Sequence, residues 1–245
     1  MPKVSDFRPI SLDEMNGVRL MSRFDTKFVL GINTLTDLLE RIEPFYRILE
    51  INNNRIHDYK SIYYDTDERK FYFEHHNNRV NRNKIRFREY VESGLTFLEI
   101  KLKNNKGKTI KKRIKVDKIL ASLTTEHKDY INKIIGHPLE VKAKQWIIFS
   151  RITLVHIEQN ERITIDTNLT FKDEDNQGDL KDIVIAEVKQ ERMSRSSDFI
   201  RIAKEMSILP IRLSKYCIST IKLKPNIKQN RFKKKLLYIN KLKQE

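Results

Sequence analysis

Apolar and polar residues alternate with a period of two along most of the chain after residue 57. Such alternation is typical of β-strands, because successive side chains on a strand point to opposite faces of a sheet. Eight runs rich in Ile, Val, Tyr, Phe and Thr predict strands: RFDTKFVLG, DYKSIYYDT, NKIRFREY, LTFLEIKLK, KTIKKRIKV, WIIFSRITLVHI, ERITIDTNLTF and DIVIAEVKQ. Eight strands with few helices predict an α+β protein built on an antiparallel barrel or sandwich.

Helical spacing is clearest in NTLTDLLERIEPF, where Asn33 is placed to cap and Pro44 to stop the helix. Shorter helices are predicted at 67–76, 117–135 and 195–208, the last capped by Ser194. Residues 221–245 are basic with scattered apolar positions, which predicts a helix or a partly disordered arm. We therefore divide the chain into a strand-rich domain, residues 1–220, and a basic C-terminal tail, residues 221–245.

The charged faces of the predicted strands are unusually rich in cations. One face of KIRFREY carries Lys84, Arg86 and Arg88, and the next strand carries Glu99, Lys101 and Lys103. The pattern recurs at Lys111, Arg113 and Lys115, and at Arg162. In one interpretation the sheet is open and this face lies in water. In the other the sheet curls and the face points inward, where crowded cations need a polyanion between them.

Composition also favours an anionic partner. The 245 residues carry a formal net charge of +16 and are 39% hydrophobic, so the chain can bury a core and attract nucleic acid, polyphosphate, nucleotide or an acidic membrane. A solvated Lys-rich surface is the simpler alternative. The sequence has neither GxxxxGK[ST] nor GxGxxG. Its one cysteine, Cys217, excludes an intrachain disulfide and, with no apolar run of about 18 residues, predicts a cytoplasmic protein.

Taken in chain order, seven motifs resemble the VTC domain, the polyphosphate polymerase domain of the vacuolar transporter chaperone complex, within the CYTH or triphosphate tunnel metalloenzyme superfamily. The motifs span roughly residues 7–220: RFDTKF, SIYYDT, KIRFREY, FLEIKLK, RITIDTNL, IAEVKQ and LSKYCIST. The resemblance implies an antiparallel eight-stranded β-barrel that encloses a triphosphate tunnel, with helices packed outside.

The resemblance also implies roles for individual residues. Phosphate contacts are expected from the basic residues of these motifs and from Arg113 on the third charged strand: Lys27, Arg86, Arg88, Lys101, Arg113, Arg162, Lys189, Arg212 and Lys215. The catalytic set is expected to be Lys27, Arg86, Arg88, Lys101 and Glu187. The resemblance implies that Glu187 binds Mn²⁺ or Mg²⁺. Because hard cations need oxygen ligands, Glu99 is the second expected ligand and Asp166 is a further candidate. Asp25 stands where the family has Glu, which weakens the case for a metal ligand on the first strand.

Several functions remain open on the sequence alone. The motifs favour a polymerase that transfers the γ-phosphate of ATP to polyphosphate, and the same tunnel suits a triphosphate or polyphosphate hydrolase. Noncatalytic binding of polyphosphate or nucleic acid is a third function, although Phe87 and other aromatics lie on the face opposite the cations, which argues against nucleic acid. Such a polymerase is also expected to have a membrane-protein partner subunit.

Overall fold

The computed structural model describes residues 3–17, 24–105, 109–120, 122–191 and 197–243. The strands are β1 (Arg8–Ile10), β2 (Phe24–Gly31), β3 (Tyr46–Leu49), β4 (His57–Asp65), β5 (Arg82–Tyr90), β6 (Leu95–Lys103), β7 (Thr109–Val116), β8 (Lys142–His156), β9 (Glu161–Lys172), β10 (Gln177–Leu180) and β11 (Ile183–Gln190). The helices are α1 (Leu12–Gly17), α2 (Leu35–Ile42), α3 (Lys70–His76), α4 (Thr125–Ile135), α5 (Asp198–Glu205), α6 (Lys215–Leu223) and α7 (Lys233–Leu242).

Eight of these strands form one antiparallel path in the order β2, β11, β9, β8, β4, β5, β6, β7. The short strands β1, β3 and β10 attach to its sides. Register shifts interrupt the β4–β8 pairing at Tyr63 and the β8–β9 pairing after Ile148, and such bulges bend and twist a sheet. The predicted eight-stranded antiparallel fold is confirmed, with β2 and β7 at the two ends of the described path rather than paired to each other.

Helices cover the apolar face of each half of the sheet. Leu35, Leu38, Leu39 and Ile42 of α2 pack with α5 against β2, β9 and β11. Ile131 of α4 packs against the apolar positions of β4, β5 and β6, including Ile85 and Phe87. These residues are the ones that the alternating pattern assigned to the buried side, so burial of their apolar area accounts for the outer layer.

Helix α6 is an exception to the expectation that helices pack outside. Its Cys217, Ile218 and Ile221 lie in one apolar cluster with Val29 of β2 and Ile185 of β11. Those two strand residues share a face with the charged positions two residues away on the same strands. The inner face is therefore divided into an apolar part that α6 covers and a charged part that it leaves uncovered.

The C-terminal residues fold onto the rest of the chain. Residue 220, the expected boundary of the tail, lies inside α6. Phe232 and Ile239 are buried, and the Tyr238 hydroxyl donates to the Val29 carbonyl at 3.0 Å. Residues 221–243 are thus largely helical and pack against β2 and α3.

Several helix starts differ from the sequence expectation. Helix α2 begins at Leu35, after a 3₁₀ turn at Ile32–Thr34, instead of directly after Asn33. Helix α5 is capped by Ser197, whose hydroxyl accepts from the Ile200 amide, whereas the expected cap, Ser194, lies outside the described residues. Within the described ranges, no helix has the length and apolar character needed to cross a membrane.

Candidate functional site

Strand pairing aligns the charged residues of β5, β6 and β7 into rows across the sheet. Lys84 lies opposite Lys101, and Arg86 lies opposite Glu99. On the other side of β6, Lys101 lies opposite Lys111. This register follows from alternation on antiparallel strands, because directly paired residues point to the same face.

Glu99 is held by cations at both carboxylate oxygens. Arg86 donates to Oε2 from Nε at 2.8 Å and from Nη2 at 2.6 Å, and the Lys111 ammonium contacts Oε1. Burial raises the pKa of Glu99, but Arg86, Arg88 and Lys111 outweigh this effect and hold that pKa well below its ordinary value. These contacts disfavour the expected metal-ligand role of Glu99 and make it the residue that orients Arg86.

A second carboxylate, Glu187, lies on the opposite wall. Its Oε2 is 2.8 Å from the Lys27 ammonium and 3.7 Å from that of Lys189. The Lys189 ammonium also donates to Thr164 Oγ1 at 3.0 Å. Burial raises the pKa of Glu187, yet Lys189 and Lys27 lower it well below its ordinary value. The side chain stays 20% exposed, so a ligand in the interior can reach it.

The third carboxylate, Asp166, binds an arginine that the sequence analysis missed. Arg151 of β8 donates to Oδ1 from Nε at 2.6 Å and to Oδ2 from Nη2 at 2.9 Å. The Lys215 ammonium, in the first turn of α6, also contacts Oδ2. Both oxygens of Asp166 are therefore engaged by cations, which argues against its use as a further metal ligand.

The two walls face each other across the interior. The charge of Glu187 on β11 raises the pKa of Lys101 on β6, while burial and the nearby Arg86 and Lys111 lower it to about 7. Burial and the charge of Lys27 on β2 likewise lower the pKa of Lys84 on β5. Four strands lie between β11 and β6 in the sheet path, and four lie between β2 and β5. Charges so far apart in a flat sheet interact only if the sheet is curled.

Burial excludes the open-sheet interpretation. Arg88 is 6% exposed, Glu99 is 1% exposed and Asp166 is 3% exposed. A solvated face would leave such side chains mostly exposed, since charged residues are rarely buried without a partner. The charged face therefore lines the inside of the curled sheet, as the inward-facing alternative required.

Aromatic rings lie under the cations on the same inner face, so the expectation that the aromatics lie on the opposite face holds for Phe87 but not for Tyr59 and Phe149. Tyr59 and Phe149 stack with centroids 5.2 Å apart. Arg88 lies over both rings at 5.2 and 5.4 Å, and Arg151 lies over both at 4.8 and 5.2 Å. The Lys215 ammonium is 4.8 Å from the centre of Phe149. Such cation–π contacts fix the positions of these groups without using their outer hydrogen-bond donors.

A second aromatic pair supports Arg86. Tyr63 stacks on Tyr216 at 5.2 Å, and its hydroxyl accepts a hydrogen bond from Arg86 Nη1 at 2.8 Å. Burial raises the pKa of Tyr63, but Arg86, Arg88 and Lys84 lower it to about 8. Arg86 is thus fixed on one side by Glu99 and on the other by a phenol of unusual acidity.

Three expected phosphate contacts lie away from this interior or at its rim. Arg113 is exposed on β7 and lies 4.4 Å from the centre of the Phe97 ring. Arg212 is exposed in the segment before α6, although Lys215 is inside. Arg162 is partly buried and donates to the Met15 carbonyl at 3.1 Å. Arg23, which opens the RFDTKF motif, lies outside the described residues.

The donor set can be compared with the needs of a divalent metal. Within the described ranges there is no group of three or more His, Cys, Asp or Glu side chains placed to hold an ion. Mg²⁺ usually keeps several waters and is bound by one or two carboxylates together with substrate phosphates. Glu187 fits that mode, because both of its lysine contacts use the same oxygen, Oε2.

The fold and the site define a tunnel-type protein, in which a curled antiparallel sheet surrounds a cationic interior. A family model described as the VTC domain matches residues 22–224, and the chain belongs to that family. This confirms the family that the sequence motifs indicated. No curated protein matches the chain.

Solved structures agree on the fold. A candidate adenylate cyclase from Bacillus halodurans is 12% identical, with a TM-score of 0.51, and the match covers 79% of this chain and 94% of that one. A candidate adenylyl cyclase from Hippeastrum, which has a dominant triphosphatase activity, is 14% identical with a TM-score of 0.51, over 81% of this chain and 94% of that one. At these identities the likeness establishes the fold alone.

Proposed function

We propose that the chain catalyses metal-dependent phosphoryl transfer on a chain of phosphates held in the tunnel, and that it acts as a polyphosphate polymerase using the γ-phosphate of ATP. The observation that carries the proposal is the pair of facing walls. One wall presents Arg86 and Lys101, and the other presents Lys27 and Lys189 around the partly exposed Glu187.

The electrostatics of the tunnel favour a polyanionic ligand. Lys101 has a pKa of about 7 and Lys189 a pKa of about 8, because burial and neighbouring cations disfavour their charged forms. Phosphate oxygens among these groups would restore their charge and offset the repulsion. Arg86 and Arg88 add planar forks that suit two-point contact with phosphate.

The arrangement matches what phosphoryl transfer demands of a protein. The reaction needs in-line placement of the reacting groups and neutralisation of charge on the transferred phosphoryl oxygens, with little covalent chemistry from side chains. Cations fixed before substrate arrives supply this stabilisation at low reorganisation cost. We assign the phosphate contacts to Arg86, Arg88 and Lys101 on one wall, and to Lys27, Lys189 and Lys215 on the other.

We assign the metal contact to Glu187. A bound Mg²⁺ or Mn²⁺ would add Lewis-acid neutralisation of the phosphate oxygens. The dependence of tunnel enzymes of this type on divalent metals supports the assignment, and so does the remaining exposure of the Glu187 side chain.

Hydrolysis of triphosphate or polyphosphate, with water as the acceptor, is the second candidate. It is favoured by α6, which fills part of the inner face and leaves less room for a polymeric acceptor. The triphosphatase activity of the Hippeastrum protein, which shares the fold, also supports it. The VTC family supports the polymerase, and with it a cytoplasmic location and a membrane-protein partner subunit.

The test is incubation of the pure protein with ATP and Mn²⁺ or Mg²⁺, with products resolved by gel electrophoresis and by phosphate release. Long polymer supports the polymerase, and orthophosphate alone supports the hydrolase. Tight polyphosphate binding without turnover would leave only a binding protein. We expect Glu187→Gln to abolish turnover while sparing anion binding, and Glu140→Gln, at an 88% exposed carboxylate, to have no effect. Full turnover by Glu187→Gln would contradict the metal assignment.

A further inference from the structure

The segment that follows the family match is strongly basic and docks at a defined place. The match ends at residue 224, and residues 221–243 contain nine Lys or Arg and no Asp or Glu. Phe232 packs against the rings of Tyr72, His75 and His76, with centroids 6.0, 6.1 and 5.7 Å away. His76 Nε2 and the Asn230 side chain form a hydrogen bond of 2.8 Å.

This docking gathers cations from three separate elements. Lys235 of α7 is half-buried over the Phe232 ring, 5.5 Å from its centre. Burial and the charges of Arg212 and Arg82 lower its pKa. Arg212 precedes α6, and Arg82 is the first residue of β5. We name Arg82, Arg212 and Lys235 the seam cluster.

The acidic side chains near the seam cluster do not balance its charge. One carboxylate, Glu74 of α3, interacts with Arg82. The charge of Arg82 lowers the pKa of Glu74, but burial raises that pKa by more. The charges of the two arginines act on Lys235, and the neighbouring Cys217 thiol is neutral at neutral pH because burial raises its pKa. The cluster therefore keeps a net positive charge beside a half-buried surface, which is the setting in which an anion is attracted most strongly.

The seam cluster is continuous with the tunnel. Arg82 lies two residues from Lys84 on β5, on the same face and about 7 Å further along the strand. Lys84 donates to Ser214 Oγ at 3.3 Å, and Ser214 follows Arg212 by two residues in the chain. The His75 ring lies 6.1 Å from the Phe232 ring, which Lys235 also contacts, and burial together with Lys84, Arg82 and Lys235 lowers the pKa of His75 to about 3. It is therefore neutral at neutral pH and adds no further repulsion.

We propose that the seam cluster is a second phosphate-binding site, which holds internal phosphates of a long polyphosphate whose end lies in the tunnel. This inference rests on the proposed tunnel function. Triphosphate occupies the tunnel alone, whereas a long chain leaves it past Lys84 and contacts Arg82, Arg212 and Lys235. The protein then prefers long chains through contacts outside the catalytic residues, in the manner of two linked binding sites.

The test compares the affinities of tripolyphosphate and of long-chain polyphosphate, measured at fixed salt by calorimetry or by fluorescence competition. We expect Lys235→Gln and Arg82→Gln each to weaken long-chain binding about fivefold, and the double variant to weaken it at least tenfold. Tripolyphosphate binding and its turnover should stay unchanged. Lys234→Gln is the matched control, because it removes the same charge from an exposed position next to Lys235 on α7.

Three results would overturn the inference, and a fourth would separate it from the proposed tunnel function. Equal losses of long-chain affinity in Lys234→Gln and Lys235→Gln would mean that only the net charge of the protein affects binding. Equal losses for both ligands would place the cluster in the tunnel site itself. If Lys235→Gln and Arg82→Gln lose binding to phosphatidylserine vesicles but keep their affinity for long-chain polyphosphate, the cluster is a membrane contact. If the wild-type protein fails to bind tripolyphosphate while Lys235→Gln still weakens long-chain binding, the tunnel function fails and the seam site stands.

Discussion

Arg86 donates two hydrogen bonds to a single oxygen of Glu99, across the β5–β6 pair, and a third to the Tyr63 hydroxyl. Two of its three guanidinium nitrogens are therefore committed to a carboxylate that is almost fully buried. This arrangement fixes the plane of the guanidinium before any phosphate arrives. Glu99 holds in place the arginine for which we propose a phosphate contact, and Glu187 remains the carboxylate that a ligand in the tunnel can reach.

We expect Glu99→Gln to destabilise the protein by about 3 kcal/mol, because removal of one partner leaves buried cations uncompensated. The midpoint of urea unfolding measures this loss. The metal concentration for half-maximal turnover should stay unchanged in Glu99→Gln and should rise in Glu187→Asp. Glu174→Gln is the control, because it makes the same substitution at an exposed position and should leave both the stability and the metal requirement unchanged. A metal requirement that shifts in Glu99→Gln would restore Glu99 as a ligand.

Alternation along β5 and β6 was enough to place Arg86, Arg88, Glu99 and Lys101 on one face, because pairing of regular antiparallel strands preserves that face. It could not decide whether the face points to water or to the interior. That choice depends on the curl of the whole sheet, and the resemblance to tunnel proteins supplied it. Arg113 shows the limit of the pattern, since a terminal strand such as β7 alternates like a central one but stays exposed.

The sequence pattern did not predict a role for Arg151 in the site, for a related reason. Strand β8 lies in the middle of the sheet and is largely buried on both faces, so WIIFSRITLVHI is nearly continuously apolar. The useful signal was Arg151 itself, a cation inside such a run that must find a buried partner. The sequence also could not predict that α6 packs on the inner face, because the spacing of apolar residues in LSKYCIST does not show which face of a sheet the helix covers.

We expect Arg151→Lys to weaken tripolyphosphate binding about tenfold, although the charge is kept. Lysine cannot reproduce the two hydrogen bonds to Asp166, and bonds of this charged type contribute about 1.5–3 kcal/mol. Asp166 would then hold Lys215 more tightly and withdraw it from phosphate. Arg201→Lys is the matched control, since Arg201 pairs with Asp198 and Glu205 on the outer surface. Calorimetric titration of both variants decides the matter, and equal affinities would refute the role of Arg151.

We expect Tyr63→Phe to abolish the ionisation of a tyrosine near pH 8 that the wild-type protein shows without added phosphate. Tyr63 has a pKa of about 8 because the effect of nearby cations exceeds that of burial, whereas burial raises the pKa of Tyr64 to about 12. Phenolate absorbance followed against pH should lose its first step in Tyr63→Phe and keep it in Tyr64→Phe. Tripolyphosphate should move that step upward in the wild-type protein, because added negative charge disfavours the phenolate. A first step that persists in Tyr63→Phe would contradict the assignment.

Lys101 gives stability and phosphate affinity opposite dependences on pH. Its pKa is about 7 in the folded protein and about 10.4 in an unfolded chain. Between these values the unfolded chain binds more protons, so the stability of the empty protein should rise with pH. Tripolyphosphate needs the ammonium form, so the increase in melting temperature that it causes should shrink from about pH 7 to about pH 9. In Lys101→Gln, both the stability of the protein and the melting-temperature increase caused by tripolyphosphate should depend less on pH, because the group that takes up the proton has been removed. Unchanged slopes in that variant would show that other groups control the tunnel, and melting curves with and without tripolyphosphate across this range make the comparison.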